Sequence, residues 1–494
     1  MQCGREAESM TDQPSIVIVG SGFAGLGMAI QLKKAGFHDF LILEKNADLG
    51  GTWRDNHYPG CACDVPSPMY SFSFELNPGW SRLFAPQREI WDYMRRCVAK
   101  HGLEPHLRFD SAVETMEWDE AAGHWEVTAA DGSRYTPKAV IAGFGGLHIP
   151  SHPDIPGLER FAGPAFHSAE WDHSIDLRGK RVAVIGTGAS AVQFVPRLAE
   201  HASRLYVFQR TPPWIQPKPD FAFPAPVLRA LNVPGAARAL RTAIYWMLEA
   251  RSVGFTVDPR LSGPMKSAAL RHIDRQIPDP DLRAKVTPDY TIGCKRVLLS
   301  SDYYPALTRP HVDLVTEGIT EVTETGVVTA DGSAHEVDVI IFGTGFEVTD
   351  ALTRQRITGR NGLKIQEAWA DGVEAHHGIT VPGFPNLFLL VGPNTGLGHN
   401  SIIFMIESQI QHILGCLRLL SSRRGRTIEV RGPAMRRYND RVQRRLGRAV
   451  WSQGGCRSWY LDENGVNRTL WPGFSFEYWA ATRRPNPADY IVTG

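Results

Sequence analysis

The chain carries almost no excess charge. Its 53 Lys and Arg nearly match 52 Asp and Glu, for a net of +1, so no bulk field draws it to nucleic acid or to a membrane. It also lacks a long unbroken apolar run. The longest apolar stretch, residues 401–414, is interrupted by Glu407, Gln409 and His412, which predicts a core helix and not a membrane span. Residues 1–13 are polar and contain no apolar leader segment. A loose tail over residues 1–14 and a cytoplasmic location are therefore expected, with Met10 an alternative start. Cysteine is sparse, with 7 scattered residues, a number and spacing that suit a reducing compartment. Cys61 and Cys63 form a C-x-C pair, which lacks the spacing of a C-x-x-C redox pair or a zinc site, so no metal is expected.

What the chain does have is glycine in two particular places. The β-branched run Ile16-Val17-Ile18-Val19 leads into Gly20-Ser21-Gly22-Phe23-Ala24-Gly25. Here Gly20 allows a tight turn, Gly22 lets a phosphate approach the backbone, and Gly25 lets the next helix pack on the strand. That helix would offer free N–H groups and a positive dipole end to a pyrophosphate. A second strand, Phe40-Leu41-Ile42-Leu43, ends in Glu44, about 20 residues beyond the glycines, where an acid binds a ribose hydroxyl.

A second unit repeats the plan. Arg181-Val182-Ala183-Val184-Ile185 precedes Gly186-Thr187-Gly188-Ala189-Ser190-Ala191, with Ala191 as the third small residue and Gln193 further along the same helix. Its next strand, Leu205-Tyr206-Val207-Phe208, ends in Gln209-Arg210-Thr211 and not in an acid. Arg210 can pair with a 2′-phosphate that a carboxylate would repel, so NADP(H) fits this unit better than NAD(H). Two dinucleotide sites in one chain imply electrons passed from one cofactor to the other.

A length of 494 residues implies two or three domains. The expected fold class is α/β, with two interleaved Rossmann-like domains. Residues 15–148 and 346–494 would form the first, and residues 149–212 and 292–345 the second. Residues 213–291 read as a helical insertion in the second. There residues 237–248 repeat apolar side chains at helical spacing, which serves either ordinary packing or a substrate wall.

Between the fingerprints lies Phe161-Ala162-Gly163-Pro164-Ala165-Phe166-His167-Ser168-Ala169-Glu170-Trp171-Asp172. It resembles the F-x-G-x-x-x-H-x-x-x-W-[PD] pattern of type I Baeyer–Villiger monooxygenases. Gly51, Trp53, Tyr58, Pro59, Gly60 and Asp64 match a second pattern of that family, continued by Ser67 and Tyr70. Gly293-Cys294-Lys295-Arg296, Gly343-Thr344-Gly345-Phe346 and Ser458-Trp459-Tyr460 resemble further family segments, with Gly343 replacing the usual alanine.

The resemblance implies FAD in the first unit, NADPH in the second, and conversion of ketones to esters or lactones with O2. Sulfide oxidation would be a side activity. Arg296, held by Asp64, would stabilise a deprotonated C4a-peroxyflavin, because a guanidinium stays charged and offers several donors. Thr52, Trp53 and Tyr70 would lie near the isoalloxazine, with the Val113 backbone near the adenine. The turn Gly392-Pro393-Asn394-Thr395-Gly396 would lay the following helix N-terminus on the flavin. Lys295, Arg210 and Thr211 would read the NADP phosphate, and Trp459, on a flexible loop, would close on the nicotinamide. His167 would transmit domain motion without direct chemistry. The alternatives are an N- or S-oxygenating flavin monooxygenase, an NADPH-dependent flavin reductase, or a non-catalytic nucleotide-sensing module, which would not need Asp64 together with Lys295 and Arg296. The particular ketone and the oligomeric state stay open.

Overall fold

A computed structural model describes residues 13–348, 350–456 and 458–494. Most of the expected N-terminal tail, residues 1–12, lies outside the described residues. Gln13, placed in that tail, accepts hydrogen bonds from Thr136 N at 2.9 Å and Thr136 Oγ1 at 3.0 Å.

Two parallel sheets of five strands organise the chain. The first runs in the order Leu387–Leu389, Ala139–Ala142, Ile16–Val19, Phe40–Leu43, Leu107–Arg108. The second runs Val312–Val315, Arg204–Phe208, Arg181–Ile185, Val339–Phe342, Ala165–His167. In each, the fingerprint strand is central and the chain reverses direction of travel beside it, the switch point at which open α/β sheets bind ligands.

The strand runs are apolar without alternation because both faces are covered. In the first sheet Ile16, Ile18 and Ile42 pack with helices Phe23–Lys34 and Ile402–Ser422. Val17, Val19 and Leu43 face the opposite way, onto Met116, Trp118 and Trp125. Those aromatic residues belong to the antiparallel strands Val113–Asp119 and His124–Ala129. The second sheet repeats this with the antiparallel strands Ile319–Thr323 and Gly326–Thr329, whose Val322 and Val327 pack on Ala183 and Ile340.

Helix Ile402–Ser422 is long and apolar enough to cross a membrane by composition. Here it packs against helices Phe23–Lys34 and Ser475–Thr482 and buries Ile403, Ile406, Ile410 and Ile413, as a core helix does.

Candidate active site

The first nucleotide unit is shaped by close backbone approach. Gly20 has φ +92°, and a Cβ there would lie 2.6 Å from Gly143 O. A Cβ at Gly25 would lie 1.9 Å from Gly20 O, so only glycine lets this helix meet the turn. Helix Phe23–Lys34 begins after Gly22 with no side-chain cap, Phe23 and Ala24 are buried, and a Cβ at Gly22 would meet open space. The uncapped N–H groups and the room beside Gly22 fit a pyrophosphate. Glu44 is buried behind them and ties the turn together. Its Oε2 accepts from Ser21 N at 2.9 Å and Ser21 Oγ at 2.6 Å, and its Oε1 from Asn46 N at 3.0 Å. Ser111 N donates to Glu44 O at 2.9 Å, which brings the start of the Val113 strand to this end of the sheet.

The second unit repeats the geometry with one exchange. Gly186 has φ +105°, and its Cβ would lie 2.5 Å from Gly343 O. A Cβ at Gly343 would sit 3.1 Å from the Ala191 Cβ. Glycine at 343 therefore makes room for the methyl of Ala191. Helix Ala189–Leu198 follows Gly188 without a side-chain cap, with Ser190 half-buried in its first turn. Thr187 Oγ1 donates to Thr211 O at 3.4 Å, joining the turn to the Arg210 segment. Arg210 is exposed and Lys295 half-buried. Burial and then the Arg210 charge lower the Lys295 pKa. Two neighbouring cations that repel each other fit a dianionic phosphate.

Gln193 reaches across to Ala62. Its Oε1 accepts from Tyr58 OH at 3.0 Å and Ala62 N at 3.2 Å, and its Nε2 donates to Ala62 O at 2.9 Å. The side chain is committed to the Tyr58–Ala62 turn. A Cβ at Gly60, φ +84°, would lie 2.7 Å from Gln193 O, so the glycine of that turn serves the same contact.

Asp64 and Arg296 meet as a two-pronged pair. Nε of Arg296 donates to Asp64 Oδ2 and Nη2 to Oδ1, both at 2.7 Å. Their side chains are 27% and 33% exposed, so the pair lines an opening. Burial is the largest single influence and would raise the Asp64 carboxyl, but the Arg296 charge, the Arg296 hydrogen bonds and the Lys218 charge together hold it below its ordinary value. Asp64 in turn raises the Arg296 pKa, so the guanidinium remains charged. Beside the pair, Trp53 Nε1 donates to Tyr70 OH at 3.0 Å, and the two rings stand edge to face at 5.3 Å. Thr52 opens the short helix carrying Trp53. The structure thus brings Asp64, Arg296, Trp53 and Tyr70 into one neighbourhood.

Trp459 is not in it. That ring is 47% exposed and packs on Tyr460 at 4.4 Å, whereas Tyr460 is buried. Burial pushes the Tyr460 phenol up to about 12, opposed by Arg296. The loop before it, expected to be flexible, is anchored. Cys456 is joined to Cys294 by a disulfide with an S–S distance of 2.02 Å, and Thr291 N donates to Gly454 O at 3.0 Å. Cys61, Cys63, Cys97 and Cys416 remain buried thiols. The disulfide departs from the expectation of scattered, unpaired cysteines. Its halves lie 162 residues apart, a juxtaposition that local spacing does not reveal.

His167 ends the edge strand Ala165–His167 of the second sheet and contacts the Phe346 ring at 5.5 Å. It is buried, its Nδ1 accepts from Ala169 N at 3.1 Å, and burial lowers its pKa to about 4. It is a neutral, packed residue.

The turn from Gly392 to Gly396 does precede helix Ile402–Ser422, but Ser401 caps that helix itself by accepting from Ile403 N at 3.3 Å. Sequence reasoning missed what fixes this region. Glu249, from helix Ala236–Arg251, accepts from Asn400 Nδ2 at 2.6 Å, Ser475 Oγ at 2.6 Å and Ser475 N at 2.9 Å. Its only sequence signal is an acid within a helical apolar pattern.

Two uncapped nucleotide turns converging toward a guanidinium–carboxylate pair define a two-dinucleotide oxidoreductase. The family described as pyridine nucleotide-disulphide oxidoreductase matches residues 17–228. A Baeyer-Villiger monooxygenase of Pseudomonas aeruginosa is 50% identical, covering 97% of this chain and 91% of its own. One of Streptomyces coelicolor is 48% identical, covering 99% and 94%. The solved structure of OTEMO in complex with FAD and NADP superposes with a TM-score of 0.87 at 27% identity, over 97% of this chain and 100% of that one. The chain belongs to the Baeyer–Villiger monooxygenase family.

Proposed function

We propose that the chain binds FAD and NADPH and uses O2 to convert ketones to esters or lactones. The observation that carries this reading is the Arg296–Asp64 pair, a permanently charged donor held at an opening by two bonds of 2.7 Å. Residues 15–148 with 346–494 would serve FAD, residues 149–212 with 292–345 would serve NADP(H), and residues 213–291 form the insertion.

FAD, when bound, supplies the hydride acceptance and the oxygen activation. The protein's own part is binding, orientation and charge. The N–H groups after Gly20, Gly22 and Gly25 hold a pyrophosphate, and Glu44 accepts from a ribose hydroxyl. Thr52, Trp53 and Tyr70 wall the ring system and exclude water. Gly186, Thr187, Gly188, Ala189, Ser190 and Ala191 do the same work for the second nucleotide, with Arg210, Thr211 and Lys295 at its phosphate. Arg296 stabilises negative charge on oxygen at the reacting centre. Asp64 acts through Arg296, fixing the direction of the fork. Sulfide oxidation is proposed as a side reaction at the same centre.

The test is a ketone panel with the purified yellow protein, following NADPH consumption and identifying products by mass spectrometry. Faster NADPH oxidation with an ester or lactone product supports the reading. Products only from amines or sulfides would replace it with N- or S-oxygenation.

A further inference from the structure

Helix Ala236–Arg251 buries Arg241, Ile244, Leu248 and Glu249. Its other side presents Ala239, Ala243, Trp246, Met247 and Ala250 to solvent, with Trp246 56% and Met247 48% exposed. None of these outward residues belongs to a buried core cluster. Helix Ser475–Thr482 lies alongside. Tyr245 OH is 3.1 Å from Ser475 Oγ, and the Trp246 and Phe476 rings are 5.9 Å apart. That helix exposes Phe476, Trp479 and Ala480. Arg238, Thr242 and Trp479 also line one cleft, together with Phe404 and Glu407 of helix Ile402–Ser422, so Trp246, Phe476 and Trp479 lie on one side of the molecule.

The fully exposed charges on this face have one sign, since Glu407, which also lines the cleft, is half-buried and accepts from Ser73 N. Arg238 is exposed on the first helix, and Arg483 and Arg484 just beyond the second. The Arg483 guanidinium sits 5.5 Å from the Trp479 ring. Glu249 is buried in its own hydrogen bonds, and Glu477 is paired with Arg445 at 2.7 Å. Neither helix offers a free carboxylate. The near-neutral total charge therefore conceals a local patch that is both apolar and cationic.

A second copy meeting this face through a twofold axis would set the three arginines against themselves. Nucleic acid offers anions but no apolar depth for tryptophan. An anionic lipid surface offers both: phosphates for the arginines, and the interfacial layer in which tryptophan rings settle. We propose that helices Ala236–Arg251 and Ser475–Thr482 dock the protein peripherally on an anionic bilayer. Trp246, Phe476 and Trp479 enter the headgroup layer, and Arg238, Arg483 and Arg484 lie over its phosphates. This inference is independent of which substrate the enzyme oxidises.

The test is flotation of the full-length, FAD-loaded protein with phosphatidylcholine vesicles, with and without phosphatidylglycerol. The protein is expected to float only with vesicles containing phosphatidylglycerol, and less so as salt rises. The Trp246→Ser/Trp479→Ser double variant and, separately, the Arg483→Gln/Arg484→Gln double variant should each lower the partition coefficient roughly tenfold or more. Retained flavin absorbance shows that each variant is folded. If the wild type ignores anionic vesicles, or if neither folded variant weakens binding, the proposal is overturned. A dimer seen by light scattering, abolished by Trp246→Ser and accompanied by no flotation, would assign the face to a second copy instead.

Discussion

The Arg296 guanidinium grips the Asp64 carboxylate through two parallel hydrogen bonds of 2.7 Å across 232 residues of chain. The pair joins the turn after Gly60 to the segment before strand Leu298–Leu299. Arg296→Ala should leave FAD bound, since the first nucleotide unit stands without it, and should lower ester formation at least about a hundredfold. Arg296→Lys keeps a charge but loses the fork, so its rate should fall between the two. Asp64→Asn should retain part of the rate. Because Arg296 holds the Asp64 carboxyl below its ordinary value, the wild-type pair stays ionised down through the usual carboxylate range. An acid limb of ester formation assigned to Asp64 should lie below that range and vanish in Asp64→Asn. Single-product assays across pH check both points, and parent-like ester formation in Arg296→Ala would remove Arg296 from the mechanism.

The cations at the second unit predict coenzyme choice. Arg210 is exposed at the strand end, and its charge helps to lower the Lys295 pKa. A 2′-phosphate would relieve that repulsion, so NADPH should be used far more efficiently than NADH. Arg210→Ala should raise the KM for NADPH about tenfold or more while barely moving that for NADH. Equal efficiency with both coenzymes in the wild type would reject the phosphate assignment.

The fingerprints were legible because each is written in a few consecutive residues, and local chain geometry dictates their spacing. Even the exchange of Ala191 and Gly343 follows one rule of volume, though only the 3.1 Å approach exposes the pairing. The Asp64–Arg296 contact was reachable through family resemblance alone, since nothing local joins residues so far apart. The reach of Gln193 across to Ala62 was not legible, because its helix follows a nucleotide turn and nothing local points to Ala62. The Cys294–Cys456 bond and the Glu249 anchor were not legible. Each joins segments 151 or more residues apart, a closeness no local spacing announces.

The anchored loop makes a prediction about coupling. Cys456 fixes the chain three residues before Trp459, while the Trp459 ring stands in solvent. If Trp459 swings inward to cover the nicotinamide, the swing starts from that tether. Cys456→Ser and Trp459→Ala should both increase NADPH consumed without ester formed, with hydrogen peroxide making up the difference. His167→Ala should do the same by loosening the contact with Phe346. Unchanged turnover and unchanged peroxide in all three would leave these residues with packing roles only.

Acid should destabilise the fold through buried histidines. His412 has Nδ1 3.0 Å from Thr482 O and Nε2 2.7 Å from Tyr490 OH, so the neutral ring donates at one nitrogen and accepts at the other. Burial lowers its pKa from 6.5 to about 4, and His376 and His167 are lowered to about 4 by the same cause. In the unfolded chain these rings take up protons as pH falls through 6.5, while in the folded chain they resist until about 4. The unfolded state therefore binds more protons in that window, and stability falls as pH falls. Each ring accounts for roughly 3 kcal/mol once the window is crossed. Thermal unfolding from about pH 8 down to about pH 4.5 should show Tm steady at first and then dropping steeply below about pH 6.5. His412→Gln, which keeps a donor and an acceptor but cannot titrate, should make that drop shallower. A Tm that stays level to about pH 4.5 in the wild type would show that these rings are not held neutral by the fold.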